Sequence, residues 1–418
     1  MTIKAKLLRL ISKIDFRLYQ KLYIITNKTQ FIDSSLLMMK YKENERFVLP
    51  DLIKKKFRFL KMVEADELSI SFNIIDKQEI VENYLPYVYN VADIAIVKLI
   101  VQPRKLYQFE NVEVIIGSDF FIKNDSVFWE KVRFSNFKHL IPLDQNLLDF
   151  TSDSISLINR EVYPHVLENA IFLAGVHSDV WSHFILERLE CVRYVSELVQ
   201  SNGTLVIILP EKMDSHCLNL LKEETDNQNI DLIFISKGTL VQVKNLFYIE
   251  RGSILADHGV SQNIHDNIIR PSVKAFLSKY RSTKPCVAQK IFLGRKGVRN
   301  ISNYDEILGY FQKLGFTEIF PDQLSLQQKR EIFGSASHIV GPFSSAFTNL
   351  IFTNDSVRVL ALVNESRAFD PVWVNLMKNP ENYFHLTGRE YEIGNIHSTY
   401  SISLGELDNF ILSNNFLR

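Results

Sequence analysis

The chain has 418 residues and a mass of 48.6 kDa, which is longer than one hydrophobic core usually serves and predicts two or three domains. Hydrophobic residues at 46% and charged residues at 23% are the proportions of a globular protein. The formal net charge of zero argues against a general nucleic-acid binder, so no nucleic-acid partner is expected.

The cysteines indicate a reducing compartment. Cys191, Cys217 and Cys286 lie far apart without CxxC spacing, which predicts neither a disulfide framework nor a zinc site. No apolar run approaches the ~20 residues that span a bilayer, and the N-terminus lacks the apolar core of a secretory signal. A cytoplasmic location is therefore expected.

The N-terminal segment carries a local positive charge. Residues 1–61 hold 15 Lys and Arg against 5 Asp and Glu. Apolar residues recur at helical spacing while basic residues fall on other faces, which predicts a basic amphipathic helix; the apolar positions are Ile3, Leu7, Leu10, Ile11, Ile14, Leu18 and Leu22. Residues 1–22 either lie on an anionic membrane surface, peripheral at its inner face, or pack on the protein's own body.

The remaining chain divides into regions with different sequence patterns. Residues 68–150 carry short β-rich runs such as "ADIAIVKLIV" and "NVEVIIG", which predict strands with hairpin connections. From about residue 170 strands and helices alternate, in the order "AIFLAG", a helix over about 181–199, "TLVIILP", a helix near 212–224, and "DLIFIS". This alternation predicts a parallel sheet.

A second α/β unit follows a helix with Pro271 near its first turn. Its predicted strands are "KIFLG", "TEIF", "HIVG" and "VRVLALV", with helices near 303–314, 325–336 and 344–352. We expect a basic helical segment over 1–61, an α/β domain with a β-rich start over 62–265, and a nucleotide-binding α/β domain over 266–418 whose last helix could cross back. Two such domains facing across a cleft form a common enzyme architecture.

Cations and a helix entrance in the second unit predict an anion site. Arg295, Lys296 and Arg299 follow a predicted strand, where ligands usually lie in open α/β sheets. In "HIVGPFSSAFTNLIF", a buried strand and a Gly-Pro turn lead into a helix with Ser344 and Ser345 at its start, where unpaired N–H groups favour a phosphate. The alternatives are a solvated basic loop and serines that only cap the helix.

These segments resemble the C-terminal half of glycosyltransferase family 61. "GRKGVRNISNYDEILGYFQKLGF", "LSLQQKREIFGSA" and "IVGPFSSAFTNLIF" carry the resemblance, on the positions Arg295, Arg299, Asn303, Gly315, Phe316, Ala336, Gly341, Pro342, Asn349 and Phe352. Upstream, "VWSHFILERL" resembles the family's histidine segment, with His183 on the histidine. The resemblance covers roughly residues 80–400 and implies a GT-B-like fold of two Rossmann-like domains and inverting sugar transfer.

The chain also departs from the family pattern. Phe343, Ser344, Ser345 and Ala346 stand where the family has His-Gly-Ala-Gly, although the helix entrance is kept. The resemblance implies a donor diphosphate site formed by Arg295, Lys296, Arg299, Ser344, Ser345 and Asn349. Two more family positions differ, because the asparagine near His183 falls on Val180 and the later glutamine on Lys329.

Inverting transfer needs a base that takes the proton from the acceptor hydroxyl. Asp179, His183 and Glu187 are four residues apart and share one face if the helix reaches back to Asp179. Asp179 is the first candidate because it stands at the loop end nearest the expected cleft, and His177 is a weaker one. The alternatives are an N-cap for Asp179 and a solvated ionic stripe for the other two.

The nucleotide and metal expectations follow from analogy and from motif search. Glu365 follows the strand "VRVLALVN", where a GT-B site often has an acidic residue reaching the ribose. No Asp-x-Asp pair and no His/Cys cluster stands in the sequence, so metal independence is predicted and no cofactor is expected. His338 begins a buried strand and is interpreted as structural.

The leading hypothesis is a glycosyltransferase of capsule or lipopolysaccharide synthesis, which moves sugar from a nucleotide-sugar donor to a glycan or lipid-linked glycan acceptor. One alternative is a non-catalytic relative that acts as a scaffold in a glycan-assembly complex. Another is a hydrolase or phosphotransferase of phosphorylated sugars, which would use the same anion site.

Overall fold

The structure is a computed structural model that describes residues 57–129, 147–150, 154–158, 161–226, 228–255, 268–283, 289–295, 300–392 and 398–418. The predicted basic helix of residues 1–22 and the cations Lys296 and Arg299 lie outside the described residues. Their structural predictions therefore remain predictions.

The described strands are numbered β1 to β22 in chain order. They are β1 Phe57–Met62, β2 Ser71–Ile74, β3 Glu79–Leu85, β4 Tyr87–Val88, β5 Ala95–Val101, β6 Lys105–Ile115, β7 Phe120–Lys123, β8 Ser126–Trp129, β9 Leu147–Phe150, β10 Ser154–Ile158, β11 Leu167–Phe172, β12 Leu205–Pro210, β13 Ile230–Ile235, β14 Leu240–Ile249, β15 Ser253–Ile254, β16 Ile268–Ile269, β17 Gln289–Leu293, β18 Thr317–Ile319, β19 Ala336–Pro342, β20 Arg358–Asn364, β21 Tyr383–Glu390 and β22 Tyr400–Ser401.

The α-helices connect and cover these strands. They are Ala65–Leu68, Trp181–His183, Val195–Asn202, Ser215–Thr225, Pro271–Leu277, Tyr304–Lys313, Leu326–Ser335 and Leu404–Ser413. A π-helix, Phe184–Arg188, and 3₁₀ helices complete the helical structure; the 3₁₀ helices are Leu189–Tyr194, Ser278–Tyr280, Pro321–Gln323, Ser345–Phe352, Glu365–Arg367, Val374–Leu376 and Pro380–Asn382.

The N-terminal sheet joins the β-rich start to the first α/β run. Its strand order is β13-β12-β11-β14-β6-β7-β8-β1-β10-β9, with β2 also paired to β6. Strands β11 to β14 are parallel and ordered third, second, first, fourth, as in one half of a dinucleotide-binding fold. Strand β14 also pairs antiparallel with the long β6. The β-rich start and the first α/β run, which differ in sequence pattern, therefore share one sheet.

The C-terminal sheet is a doubly wound parallel sheet. Its order is β18-β17-β19-β20-β21, with pairs in parallel register, and β22 adds to β21 antiparallel. In chain order this is second, first, third, fourth, fifth, so the strand order reverses between β17 and β19. The mixed α/β class is confirmed, while the GT-B arrangement remains a prediction.

The two halves share packing. One buried cluster includes Leu205 and Ile207 of the N-terminal sheet together with Ile339 and Ala361 of the C-terminal sheet. Strand β4 pairs in parallel with β21, although it lies in the range predicted for the N-terminal domain. A second cluster covers the other face of the C-terminal sheet and includes Phe410 of the last helix.

Within the described ranges, no helix is both long enough and apolar enough to cross a lipid bilayer. Cys191 and Cys217 are both buried, and neither forms a disulfide among the residues that the structure describes. Cys286 lies outside the described residues.

Candidate active site

A pocket lies at the carboxyl ends of β17 and β19, where the order of the C-terminal sheet reverses. Open α/β sheets bind ligands in the crevice at such a point, because the connecting chains leave to opposite faces there. The cavity volume is about 370 Å³. We call it the switch-point pocket; its lining residues are Val180, Trp181, Asp214, Gly294, Arg295, Phe320, Pro321, Asp322, Gln323, Lys329, Ser344, Ser345, Ala346 and Asn349.

Two glycines allow the strand ends to approach this closely. A Cβ on Gly294 would lie 2.5 Å from the ring of Phe320, and a Cβ on Gly341 would lie 2.7 Å from Cβ of Leu293. Both distances are shorter than real carbon contacts. The pocket wall therefore depends on the absence of side chains at these two positions.

Arg295 is the first residue after β17 that carries a charge into the pocket. Its Nη1 donates to the carbonyl oxygen of Phe343 at 2.8 Å, which ties the end of β17 to the turn after β19. Burial is the main cause that lowers the pKa of Arg295, and the nearby charge of Arg367 acts in the same direction. A half-buried guanidinium in a positive environment is well prepared to receive an anion.

The segment after β19 enters a helical turn at the predicted position. Ser344 is extended and precedes the 3₁₀ helix Ser345–Phe352, so the first N–H groups of the helix have no partner inside it. The side chain of Ser344 makes no capping hydrogen bond, so the simple capping alternative is not realised in this structure. Ser344 and Ser345 both line the pocket, the second with an exposed side chain.

Asn349 lines the same pocket from one helical turn further along. Its side chain is 1% exposed, and its Nδ2 donates to the carbonyl oxygen of Ala346 at 2.8 Å. Its Oδ1 has no hydrogen-bond partner among the residues that the structure describes. A buried amide oxygen without a donor carries a desolvation cost, so Asn349 is suited to accept a hydrogen bond from a ligand.

Lys329 is a second pocket cation, to which the sequence argument gave no role. It lies on the helix Leu326–Ser335, is 3% exposed, and places Nζ 4.5 Å from the ring centre of Trp181. Burial lowers the pKa of Lys329 to about 8, against the opposing charges of Asp214 and Asp322. A signal was present, because Lys329 falls on the buried face of its helix between Leu326 and Phe333.

The three base candidates lie beside the corresponding reversal of the N-terminal sheet, between β11 and β14. Asp179 precedes the helix that starts at Trp181, and its Oδ2 forms a salt bridge of 2.7 Å with Lys237. The condition for a shared helical face is therefore not met for Asp179, because the helix does not extend back to it. Val180 and Trp181, which follow Asp179, line the switch-point pocket.

His183 and Glu187 form a direct pair. Nδ1 of His183 lies 3.1 Å from Oε2 of Glu187, and the Glu187 side chain is 3% exposed. The other carboxylate oxygen of Glu187 accepts from the backbone N–H of Leu255 at 3.0 Å and lies 3.5 Å from Nη1 of Arg251. Glu187 is buried, His183 is half-buried and the carboxylate has several partners, so the solvated-stripe alternative does not describe the pair.

The pair belongs to a larger buried ionic network. Arg188 donates to Oδ1 of Asp119 at 2.5 Å, and Nη2 of Arg251 lies 3.8 Å from the other oxygen of Asp119. A Cβ on Gly175 would overlap both Asp119 and Arg188. The network spans the π-helix Phe184–Arg188, a form of helix that is frequent at functional sites.

The structure does not bring Glu365 into the pocket lining. Glu365 is exposed and opens the 3₁₀ helix Glu365–Arg367 after β20. The following Ser366 donates through its backbone N and its Oγ to Glu390, at 2.5 and 2.9 Å. The ribose-binding role of Glu365 remains a prediction.

Two further histidines have defined surroundings. His177 adopts a φ of 56°, and its ring centre lies 4.9 Å from that of His183, so it is close to the pair. His338 is 7% exposed, and its Nε2 lies 2.7 Å from the carbonyl oxygen of Phe416. These contacts agree with the structural interpretation of His338.

In the described part of the chain, no three or more His, Cys, Asp or Glu side chains are grouped so that they would hold a metal ion. The prediction of metal independence rests on sequence motifs and is left to a measurement with a chelator.

Comparison with known protein families gives a match. No curated protein matches the chain. The model of the family Glycosyltransferase 61 matches residues 181–360, a range that includes the His183–Glu187 pair, Arg295, Lys329 and the helix entrance at Ser344. The resemblance to glycosyltransferase family 61 is thereby confirmed, and it supports a glycosyltransferase.

Proposed function

We propose that this protein is an inverting, metal-independent glycosyltransferase that uses a nucleotide-sugar donor. The observation that carries the proposal is the switch-point pocket, where the half-buried Arg295, the buried Lys329 and a helix entrance meet at the carboxyl ends of parallel strands. The family match supports the same reaction class. The acceptor in this proposal is a hydroxyl of a glycan or lipid-linked glycan in capsule or lipopolysaccharide synthesis, and the two sheets form the two sides of a GT-B cleft.

The pocket would bind the diphosphate of the donor. Arg295 and Lys329 supply positive charge from two different elements, and the first N–H groups of the helix Ser345–Phe352 supply directed donors. The resemblance implies two flexible glycines at the positions of Ser344 and Ala346. Lys329 would offset their loss in this chain, because it adds a cation at the same pocket. Lys296 and Arg299 would add further charge from the adjoining loop.

The charge of this pocket would act on the leaving group. In an inverting transfer the acceptor oxygen bonds to the anomeric carbon while the bond from that carbon to the phosphate oxygen breaks. The bonding electrons leave with the nucleoside diphosphate, and the acceptor proton passes to a base. Preorganised cations that face the departing diphosphate stabilise the charge that develops on it.

We place the base at His183. Glu187 contacts Nδ1 of His183, so Nδ1 carries the proton and Nε2 is left with the lone pair that can accept a proton. Asp179 is the second candidate, because its Oδ2 is already engaged in a salt bridge with Lys237. Glu187 is buried and would act by orienting His183 rather than by touching the acceptor.

The proposal is tested by ligand-induced stabilisation. The purified protein is heated with UDP, GDP, CDP and CMP, and with their sugar conjugates, with and without EDTA. A ligand at about 100 times its dissociation constant raises the free energy of unfolding by ~2.7 kcal/mol. We expect stabilisation by one nucleotide class, unchanged by EDTA and weakened in Arg295→Ala and Lys329→Met. The control is Lys313→Met, on the exposed end of the helix Tyr304–Lys313.

Product analysis separates the alternatives. A transferase forms a glycosidic bond to the acceptor, a hydrolase releases free sugar, and a phosphotransferase moves phosphate. A non-catalytic scaffold predicts no stabilisation by any nucleotide and an unchanged melting temperature for all ligands. That result would contradict the proposed function.

A further inference from the structure

A second and larger cavity is lined in part by the C-terminal end of the helix Ser345–Phe352, whose first residues line the switch-point pocket. Its volume is about 870 Å³, against about 370 Å³ for the pocket. It is lined by the helix Pro271–Leu277, by Tyr84 of β3, and by Ile351 and Asn354 at the far end of the helical segment that Ser344 opens. We call it the linker cavity. Its volume is within the ~300–1,000 Å³ usual for small-molecule sites.

The linker cavity carries an excess of positive charge. Lys274, Arg281 and Lys378 line it against one carboxylate, Asp355. Asp355 forms salt bridges with Lys378 and, at 4.0 Å, with Arg281. Among the described residues no carboxylate oxygen lies within salt-bridge distance of Nζ of Lys274. Three cations against one carboxylate leave a formal charge of +2 on the cavity wall.

The positive charge of Lys274 is only weakly compensated by the protein. Its only described hydrogen bond goes to Oδ1 of Asn375 at 3.3 Å, and burial lowers the pKa of Lys274 to about 8. An ammonium group has three donors, so two remain for another acceptor. A partly buried cation with one neutral protein partner costs stability in the unliganded fold, and a bound anion would offset that cost.

The side chain of Asn375 cannot move to provide Lys274 with a further hydrogen bond. Its Oδ1 also accepts from the backbone N–H of Tyr84 at 3.0 Å, while its Nδ2 donates to Asn83, to the carbonyl of Tyr84 and to Pro371. This amide therefore fixes β3 against the C-terminal half. Asn375 therefore holds the ammonium of Lys274 beside the cavity, and its Oδ1 can accept no further hydrogen bond.

We propose that the linker cavity binds an acidic saccharide, with the carboxylate or phosphate of the sugar received by Lys274 and Arg281. The proposal rests on the proposed function, since an acidic stretch of the acceptor glycan is the occupant we infer. The cavity is too large for a simple anion, and hydroxyl and amide groups line it beside the ring of Tyr84. A polyhydroxylated ring with one negative charge matches this mixture of polar, aromatic and cationic surface.

The proposal is tested by thermal stabilisation with three probes. They are a uronic-acid trisaccharide, its carboxyl-reduced neutral form and inorganic phosphate. We expect stabilisation by the acidic trisaccharide alone, and a rise of at least about tenfold in its dissociation constant in Lys274→Met. Equal stabilisation by the neutral form or by phosphate at the same concentration would overturn the assignment of an acidic saccharide.

The variant provides a second readout. If Lys274 is retained for a ligand, Lys274→Met leaves the melting temperature of the unliganded protein unchanged or raises it, whereas a structural lysine predicts a lower one. Lys313→Met is the matched control and should retain the trisaccharide response. Nucleotide stabilisation that persists in Lys274→Met would separate the two sites. A nucleotide response without any trisaccharide response would overturn this inference alone, and the reverse result would contradict only the proposed function.

Discussion

Oε2 of Glu187 lies 3.1 Å from Nδ1 of His183, and the carboxylate is fixed from behind by the backbone N–H of Leu255 and by Arg251. A carboxylate in this position holds one imidazole tautomer and leaves the other ring nitrogen available for proton transfer. The relationship gives the proposed reaction a base and an orienting group from one helical segment.

We expect His183→Ala to lower the turnover number by about 10²- to 10⁴-fold, the usual contribution of a positioned base. Nucleotide affinity should change little, because His183 is not part of the pocket lining. The measurement is steady-state kinetics together with nucleotide titration. Asp179→Asn is the comparison variant, and a larger loss of turnover in it would move the base to Asp179.

Glu187→Gln should lower turnover less than His183→Ala and should shift the pH dependence of turnover, since the imidazole loses a negative neighbour. The glutamine keeps an acceptor for the backbone N–H of Leu255. A uniform loss of activity across pH, accompanied by a lower melting temperature, would indicate a purely structural role for Glu187.

Replacement of Arg295 should weaken nucleoside diphosphate binding. A hydrogen bond to a charged group contributes about 1.5–3 kcal/mol, so Arg295→Ala should raise the dissociation constant roughly tenfold to a hundredfold. Arg295→Lys should recover only part of the affinity, because an ammonium cannot form the paired bonds of a guanidinium. Calorimetric titration checks both variants, and full recovery by lysine would show that only charge matters.

Lys329 should make nucleotide binding depend on pH. Burial lowers the pKa of Lys329 to about 8, so the ammonium that would receive the phosphate in the proposed function is lost as the pH rises through that value. Affinity for the nucleoside diphosphate should therefore fall between pH 7 and pH 9, and Lys329→Met should show a flatter profile from a weaker starting value.

The stability of the unliganded protein should respond to Lys329 in the opposite direction. The unfolded chain, in which the lysine has its ordinary pKa of 10.5, binds more protons than the native state above pH 8. The contribution of Lys329 to the free energy of unfolding thus rises with pH in this window. Denaturant titrations of wild type and Lys329→Met would contradict the assignment if their difference stayed constant with pH.

Two glycine substitutions should have opposite effects on stability. In Gly175→Ala the new Cβ would overlap Asp119 and Arg188, and breaking such a buried ion pair costs about 3–5 kcal/mol. Gly309→Ala is the control, because no atom lies within 4 Å of its Cβ position and it lies inside the helix Tyr304–Lys313. We expect it to stabilise the fold by about 0.5–1 kcal/mol. Equal melting temperatures for both variants would contradict the expected contribution of the Asp119–Arg188 ion pair to stability.

Local patterns were sufficient for the alternating part of the fold. The strands at 205–210 and 336–342 and the helices at 304–313 and 326–335 lie where apolar runs and helical spacing predicted them. Strand-end residues such as Arg295 and Ser344 followed from the same reasoning, because a parallel sheet gathers the carboxyl ends of its strands at one edge.

Features that depend on distant partners were not accessible from local patterns. Lys237 is 58 residues from Asp179 in the chain. No local sequence pattern predicted the salt bridge between them. No local pattern indicated Asp119 either. Its contacts with Arg188 and Arg251 show that it belongs to the buried ionic network. The antiparallel pairing of β14 with β6 likewise joined two regions of unlike composition.

Strand β4 has a practical consequence for attempts to divide the protein. Phe384 and His385 of β21 pair with Tyr87 and Val88, which the chain contributes long before it reaches the C-terminal half. A fragment that started at residue 266 would present this part of β21 as an open edge, and unpaired edges recruit other chains. Soluble expression of the C-terminal half alone would then require the segment 79–101 to be supplied with it, either fused or as a separate peptide.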